Sequence, residues 1–290
     1  MPHQVIVNAD DFGLSVSENA VILGAFQAGV ISSATAMANM PAFEAACVLA
    51  RQPLLMGRIG LHFNLTYGRP LSPSILARST FCDSQGLFDL NLARHCLWLN
   101  RHDRNAVLEE LEAQWQRCLD NGLRPSHIDS HQHVHNIWPI GEIVARFAAY
   151  QGVPVRLARH LGNNLSVPKR VFKTLLNYRL NHLAGASAEY VCTPVDLRNV
   201  AMPNDGLLEI VVHPVHIGAD FGDAYLNPGE SLSHVLERCL PGIPRVSYAV
   251  VPGIFKEQPL HLDRTEITTL DLLPSQTLPT TPWLQPRRTS

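Results

Sequence analysis

Short apolar runs rich in β-branched residues alternate with amphipathic segments along this chain, and this alternation most limits its fold. The stretches "QVIVNA", "RIGLHFNLT", "VPVRLAR" and "LLEIVVHPV" predict strands, whereas "NAVLEELEAQWQRCLDNG" predicts a helix with one apolar stripe. Strands that alternate with helices favour an α/β fold with a mainly parallel sheet and helices packed outside it. About six to eight strand–helix units fit either an open sheet or a barrel, and the pattern leaves that choice open.

The domain organisation follows from what interrupts this pattern. The chain has neither a Gly/Ser-rich linker nor an internal repeat, so we predict one domain over residues 1–273. Residues 67–105 lack a regular pattern, and we expect them to form an insertion over the surface. Residues 274–290 are rich in proline and threonine, and this composition favours a flexible tail.

Charge and cysteine usage argue against several classes of protein. Charged residues make up 17% of the chain and the net charge is −2, so no basic surplus indicates binding to nucleic acid or to an anionic membrane. No uncharged apolar stretch approaches the roughly 20 residues that cross a bilayer, and the N-terminus lacks the pattern of a secretory signal. The six cysteines are scattered and form no C-x-x-C pair, which is typical of reduced thiols in a cytoplasmic protein.

Polar side chains come directly after the predicted strands. They are Asp10 and Asp11, His62, the segment 127–135 and His213. Because ligands collect at the carboxyl ends of parallel strands, we expect these residues to form one shared site. Taken singly, each has a plainer interpretation, since an aspartate after a strand can cap a helix and a lone histidine can be a hydrogen-bonded core residue.

The segment "HIDSHQHVH" at 127–135 is harder to explain without a site, because ionisable groups that are buried unpaired are costly. As a strand it would place its four histidines and Asp129 on one side, with successive side chains about 6.6 Å apart. Side chains spread that widely cannot all bind one ion through bonds of about 2 Å. We therefore expect only part of this cluster to touch a metal.

The polar residue types themselves indicate a chemistry. Two histidines and one carboxylate are common ligands of a divalent metal ion and leave positions open for water and substrate. A second carboxylate beside the metal can take a proton from that water. The sequence has no Walker loop, no G-x-G-x-x-G after a strand and no G-x-S-x-G. These features favour metal-assisted hydrolysis over nucleotide chemistry or a serine hydrolase of the α/β type.

Motifs in a fixed order carry a family resemblance. The stretches "VNADDFGLS", "IGLHFNLTYGRPL", "PSHIDSHQHVH" and "EIVVHP" resemble the YdjC-like carbohydrate deacetylases, which include chitooligosaccharide deacetylases. The resemblance spans residues 4–215 and implies a distorted (β/α) barrel of the polysaccharide-deacetylase type. It also implies a divalent metal ion, commonly Mg²⁺ with Zn²⁺ as an alternative, and hydrolysis of an N-acetyl group from a small amino sugar or chitooligosaccharide, with release of acetate.

The resemblance assigns a role to each residue that matches a motif. Asp11, His62 and His131 correspond to metal ligands, Asp10 to the catalytic base, and His213 to the best candidate for the general acid. Further residues are expected to orient the ligands or to contact substrate, and Arg156 among them to bind Asp10 through a charge-assisted hydrogen bond. These supporting residues are Asn64, Asp129, His133, His135 and Arg156.

Two other functions stay open at this stage: a metal-dependent hydrolase of another bond, such as a phosphoester, and a non-catalytic sugar-binding relative. The chain departs from the family after His213, where it reads "HPVHIGADF" and relatives often read His-Pro-Gly. Residues 67–105 and about the last 50 residues also match poorly. We expect these regions to shape the substrate groove. We expect a small N-acetylated sugar as the partner, no nucleic acid and no membrane, and leave a homodimer open.

Overall fold

A computed structural model describes residues 1–162 and 165–251 of the chain. The predicted tail at 274–290 and the end of the predicted domain lie outside the described residues. Among the described residues, no helix combines the length and the apolar character needed to cross a membrane.

Six parallel strands form the central sheet, as the alternating pattern predicts. Their spatial order is β4-β3-β2-β1-β6-β5, and every neighbouring pair is parallel. β1 and β6 are buried along nearly their whole length, which explains their continuous apolar runs. The strands are β1 (Gln4–Phe12), β2 (Ser33–Ala36), β3 (Ile59–Phe63), β4 (Ile128–Ser130), β5 (Tyr190–Cys192) and β6 (Leu207–Val212).

Helices connect these strands. α4 begins where Asn100 accepts a hydrogen bond from the Asp103 backbone N–H, and α5 ends at Gly152 in the left-handed conformation. The apolar face of α5 is buried, including Ile140 and Val144. The helices are α1 (Val16–Gln27), α2 (Phe43–Ala50), α3 (Pro73–Leu76), α4 (Arg101–Asp120), α5 (Trp138–Gln151), α6 (Val167–Ala184) and α7 (Leu232–Cys239).

The segment "VPVRLAR" closes the curled sheet toward a barrel, although it is not the full strand that the sequence predicts. The Ile128 N–H donates to Pro154 O, so the segment bonds to β4 at one edge of the sheet, and the Val155 N–H donates to Ala186 O, in the stretch before β5. Pairing stops at Val155 because the Asn177 side chain occupies both the N–H and the carbonyl of Ala158. The predicted distorted α/β barrel is confirmed, with an irregular segment at 153–159 in place of a full strand.

The histidine-rich segment also departs from a continuous strand. β4 ends at Ser130, and residues 131–136 form a 3₁₀ turn in which Gln132 and His133 have positive φ angles of 48° and 54°. This reversal ends the alternation, so the odd-numbered side chains no longer share one side. Neither residue is a glycine, so the sequence carries no signal for the turn.

Two regions without clear patterns acquire defined structure. Residues 67–100 are mostly irregular apart from α3. This segment packs against the domain through buried side chains such as Phe81 and Leu99. After His213 the chain forms an antiparallel hairpin of β7 (Pro214–Ile217) and β8 (Asp220–Asp223). This hairpin projects from the end of β6, directly beside the expected site.

Candidate metal and active site

A bulge at the end of β1 turns two neighbouring carboxylates toward one point. In a regular strand the side chains of Asp10 and Asp11 would point to opposite faces. The pairing of β1 with β2 shifts between Ala9 and Phe12, and Asp11 has a left-handed φ of 69°. Both carboxylates consequently approach His62, whose Nε2 lies 4.0 Å from Asp10 Oδ2 and 3.3 Å from Asp11 Oδ1.

Asp11, His62 and His131 converge from the ends of three strands. Asp11 Oδ1 lies 3.3 Å from His62 Nε2 and 3.9 Å from His131 Nε2, and the two imidazole rings are 5.7 Å apart. The same Asp11 oxygen is buried and makes no hydrogen bond within the part of the chain that the structure describes. A buried carboxylate oxygen without a donor is costly, and a cation at this point would satisfy it.

Hydrogen bonds at Nδ1 of both histidines leave their Nε2 atoms facing Asp11. Asp129 Oδ1 lies 2.7 Å from His62 Nδ1 and can only accept, so Nδ1 carries the proton. The Thr66 hydroxyl lies 3.3 Å from Asn64 Oδ1 and forms a hydrogen bond with His131 Nδ1 at 2.6 Å. This is the arrangement by which supporting groups orient histidine ligands.

A second group of possible ligands shares His62. Oxygen and nitrogen atoms of Asp10, His62 and Asp129 lie within 4.8 Å of one another, and all three residues are buried. The Arg156 guanidinium, however, donates to both of these carboxylates and would repel an ion placed between them. The Asp11 side of His62, where Arg156 makes no contact, suits an ion better. The residues around His62 could hold a divalent metal ion there.

Arg156 is the hub of a buried ionic network beneath this point. Its two Nη atoms donate to the Asp10 oxygens at 2.8 and 2.9 Å, and Nη1 lies 2.7 Å from Asp129 Oδ2. Its Nε donates to Glu209 Oε1 at 2.7 Å, and Glu209 Oε2 accepts from the Tyr248 hydroxyl at 2.5 Å. All five side chains are at most 2% exposed. The predicted contact between Arg156 and Asp10 is thus present, within a larger network than expected.

The network sets the charge states of its members. Burial opposes ionisation of Asp10, but Arg156 and His62 outweigh it and hold its pKa well below the usual range. Burial raises the pKa of Glu209, although Arg156 and Tyr248 oppose this. Burial lowers the pKa of His131 to about 4, which keeps its ring neutral at pH 7. A charged base candidate and a neutral ligand candidate therefore lie side by side.

His213 reaches the same carboxylates from the end of β6. Its Nε2 lies 4.0 Å from Asp10 Oδ2 and 3.9 Å from Asp11 Oδ2. Asp223 fixes its backbone, since Oδ2 accepts from the His213 N–H at 2.6 Å. A cavity of about 200 Å³ opens beside this group and is also lined by Leu14.

Asn64 holds the loop after β3. Its Oδ1 accepts from the backbone N–H groups of Thr66 and Tyr67, and its Nδ2 donates to Tyr67 O. From α4, Gln114 bonds the Asn64 backbone N–H and carbonyl. Asn64 therefore acts on His131 through Thr66, rather than facing the reacting centre itself.

The remaining histidines of the cluster do not share one face. His127 lies below the site, with its ring stacked 3.7 Å from Tyr248, in space left by Gly60, where a Cβ atom would lie 2.6 Å from the ring. His133 is half-buried in the 3₁₀ turn. His135 is 1% exposed and bonds Ser130, because the turn folds it inward.

Sequence reasoning missed four contributors: Thr66, Glu209, Asp223 and Tyr248. Glu209 carried a signal, because it is a single charge within the apolar strand "LLEIVV". The other three residue types are common in loops, and their roles depend on hydrogen bonds between distant segments. Only the folded chain brings those partners together.

Comparisons with known proteins agree on one family. The family model described as YdjC-like protein matches residues 4–231. A carbohydrate deacetylase of Geobacillus stearothermophilus is 45% identical over 164 residues, which cover 55% of this chain and 62% of the relative, less than two thirds of its length. A chitooligosaccharide deacetylase of Salmonella typhimurium strain LT2 is 33% identical over 222 residues, which cover 75% of this chain and 83% of the relative.

A solved structure has the same fold. It is a protein of Enterococcus faecalis V583 that its name assigns provisionally to cellobiose-phosphate cleavage. The TM-score is 0.63 at 23% identity, and the match covers 86% of this chain and 98% of that one. At this identity the likeness concerns the fold alone.

Proposed function

The chain belongs to the YdjC-like family, and from that premise we propose that it is a metal-dependent carbohydrate N-deacetylase. Its substrate would be a small N-acetylated amino sugar or chitooligosaccharide, from which it releases acetate. The observation that carries the proposal is the convergence of Asp11, His62 and His131, with Asp10 and His213 about 4 Å away. Relatives named as deacetylases of carbohydrates support the substrate class.

Asp11, His62 and His131 would hold the metal through Asp11 Oδ1 and two Nε2 atoms. When bound, such an ion polarises a carbonyl and acidifies water. The resemblance implies Mg²⁺, which prefers oxygen ligands, whereas two imidazole nitrogens also suit Zn²⁺. We propose Mg²⁺ as the ion in use and expect reconstitution with Mg²⁺, Zn²⁺ or Co²⁺ to separate these alternatives.

Asp10 is proposed as the base that takes a proton from the attacking water. Its Oδ1 accepts from Asn8 and Arg156, while its Oδ2 accepts from Arg156 and faces His62 and His213. Oδ2 thus keeps a lone pair directed at the site. Because Arg156 lowers the pKa of Asp10, the carboxylate stays ionised across the neutral range.

His213 is proposed as the acid that protonates the leaving nitrogen, because an amide nitrogen leaves poorly as an anion. Its Nε2 lies 4.0 Å from Asp10 Oδ2, so the two groups flank one reacting point. Each proton-transfer group should contribute a factor of roughly 10² to 10⁴ in rate.

The test measures acetate released from di-N-acetylchitobiose together with the metal content of each purified variant. Asp10→Asn should lower kcat by about 10² to 10⁴ while the metal stays bound, and His131→Ala should lose the metal. If Asp10→Asn kept wild-type activity, Asp10 would not be the base. If the wild-type protein released no acetate with any of the three ions, the deacetylase proposal would fall.

Phosphoester hydrolysis is the less favoured chemistry. A phosphate needs cationic partners, and the Arg156 guanidinium beside the site is already engaged by three carboxylates. Phosphate release from a sugar phosphate, measured in the same preparations, distinguishes the two reactions. We also propose a cytoplasmic location, supported by six cysteines that remain unpaired; fractionation of the native host tests it.

A further inference from the structure

Two tyrosine side chains stand at the edge of the site with most of their surface in solvent. Tyr67 is 54% exposed and its ring lies 6.5 Å from that of His131. Tyr225 is 64% exposed and its ring lies 5.0 Å from that of His213, nearly perpendicular to it. Since His131 Nε2 and His213 Nε2 are each 3.9 Å from an oxygen of Asp11, the two tyrosines flank the reacting point through different histidines.

The backbone of Tyr67 is fixed although its ring is exposed. Asn64 Oδ1 accepts from the Tyr67 N–H at 3.1 Å, and the Tyr67 carbonyl accepts from Asn64 at 2.6 Å and Asn39 at 3.0 Å. Asn64 is itself tied to α4 through Gln114. The chain therefore presents this ring from a rigid loop, which lowers the entropy lost when a ligand packs against it.

The backbone of Tyr225 is also fixed by hydrogen bonding to a side chain. Asp223 Oδ1 accepts from the Tyr225 N–H at 2.9 Å, while its Oδ2 accepts from the His213 N–H at 2.6 Å. Asp223 is 3% exposed, so one buried carboxylate sets the positions of both the acid candidate and the exposed ring.

We propose that Tyr67 and Tyr225 form an aromatic clamp that binds the pyranose ring carrying the acetamido group and the ring next to it. This inference rests on the proposed function, because it takes an N-acetylated sugar as substrate. The C–H faces of a pyranose are apolar and pack on aromatic rings through dispersion and removal of water, whereas the phenol hydroxyls remain free for sugar hydroxyls. The clamp makes these two residues determinants of substrate binding rather than of the chemical step.

The experiment compares steady-state kinetics of Tyr67→Ala, Tyr225→Ala and the double variant on di-N-acetylchitobiose. Each single change should raise KM about ten-fold and alter kcat little, and the double variant should raise KM about a hundred-fold if the two contributions add. Tyr67→Phe and Tyr225→Phe keep the ring and should restore KM to within about three-fold. Tyr178→Ala is the matched control, because Tyr178 is 76% exposed on α6 and contacts His182 rather than the site.

Calorimetry with the same sugar separates this inference from the proposed function. If wild-type protein binds the sugar but releases no acetate, the deacetylase proposal fails, and weaker binding by the alanine variants still supports the clamp. If wild-type protein is active and both alanine variants keep KM within two-fold, the clamp is overturned while the function stands. If the wild-type protein neither binds nor hydrolyses the sugar, both are overturned.

Discussion

The site has two regions that differ in how completely their polar groups are satisfied. The floor consists of Asp10, Asp129, Arg156, Glu209 and Tyr248, all at most 2% exposed and joined by hydrogen bonds. The rim consists of Asp11, His131, His213, Tyr67 and Tyr225, which range from partly to largely exposed.

Among these ten residues, the buried polar atoms without a hydrogen bond to the described residues belong to the rim. Asp11 Oδ1 and His213 Nδ1 are buried without a hydrogen bond, whereas each oxygen of Asp10 has a donor. Groups that are fully paired in the folded chain need no ligand, and groups left unpaired are satisfied only when something binds. The floor therefore supports the fold and orients Asp10, while the rim is the part that the metal and substrate complete.

Arg156→Met is expected to have the largest effect, because it leaves three buried carboxylates without their cation. Removing one partner of a buried ion pair costs about 3–5 kcal/mol, a large part of the stability of a typical domain. Urea denaturation should show this loss. Arg179→Met is the control, since its pair with Glu142 is partly exposed and should contribute at most about 1 kcal/mol.

Arg156→Lys sharpens the result, because it keeps the charge but not the planar fork that binds both Asp10 oxygens. We expect it to recover part of the stability and to remain poor in kcat. Should Arg156→Met unfold at the wild-type urea concentration, the floor would not have the structural role assigned to it.

Thr66→Val tests the rim with a medium effect. The substitution keeps the shape of the side chain and removes the hydroxyl that bonds His131 Nδ1. Loss of such a supporting group typically weakens metal binding 10- to 100-fold, and here the fold should stay intact because the contact is local. Competition with a metallochromic chelator measures the affinity. Thr174→Val on α6, where the hydroxyl bonds only Arg170 O, should leave metal affinity unchanged.

The sequence predicts the residues that end the strands better than the partners that reach them from distant segments. Asp10, Asp11, His62 and His213 were predicted together because each directly follows an apolar run, and parallel strands end at one edge. The inward turn of His135 was not predictable, since the positive φ angles occur at glutamine and histidine rather than at glycine.

The contacts that Glu209 and Tyr248 make in the floor depend on closure of the barrel, which local sequence patterns do not encode. Glu209 meets Arg156 from a segment 53 residues away in sequence, and Tyr248 meets Glu209 from a segment 39 residues further along. The same holds for the strand pairing at Val155. It does not continue because the Asn177 side chain, on α6, bonds the backbone of Ala158. Periodicity predicts which segments form strands. It does not show which side chains from other segments will form hydrogen bonds with the backbone of those strands.

Tyr248→Phe tests whether the floor acts on Asp10 from its far end, and we expect the smallest effect of the series. The change removes one hydrogen bond to Glu209 and keeps the ring that stacks on His127. A single hydrogen bond contributes about 1 kcal/mol, so we expect a loss of stability of this size and a several-fold fall in kcat with KM unchanged. Tyr190→Phe, in β5, is the control. A fall in stability with no change in kcat would mean that Tyr248 supports the fold only and does not influence the reaction through Asp10.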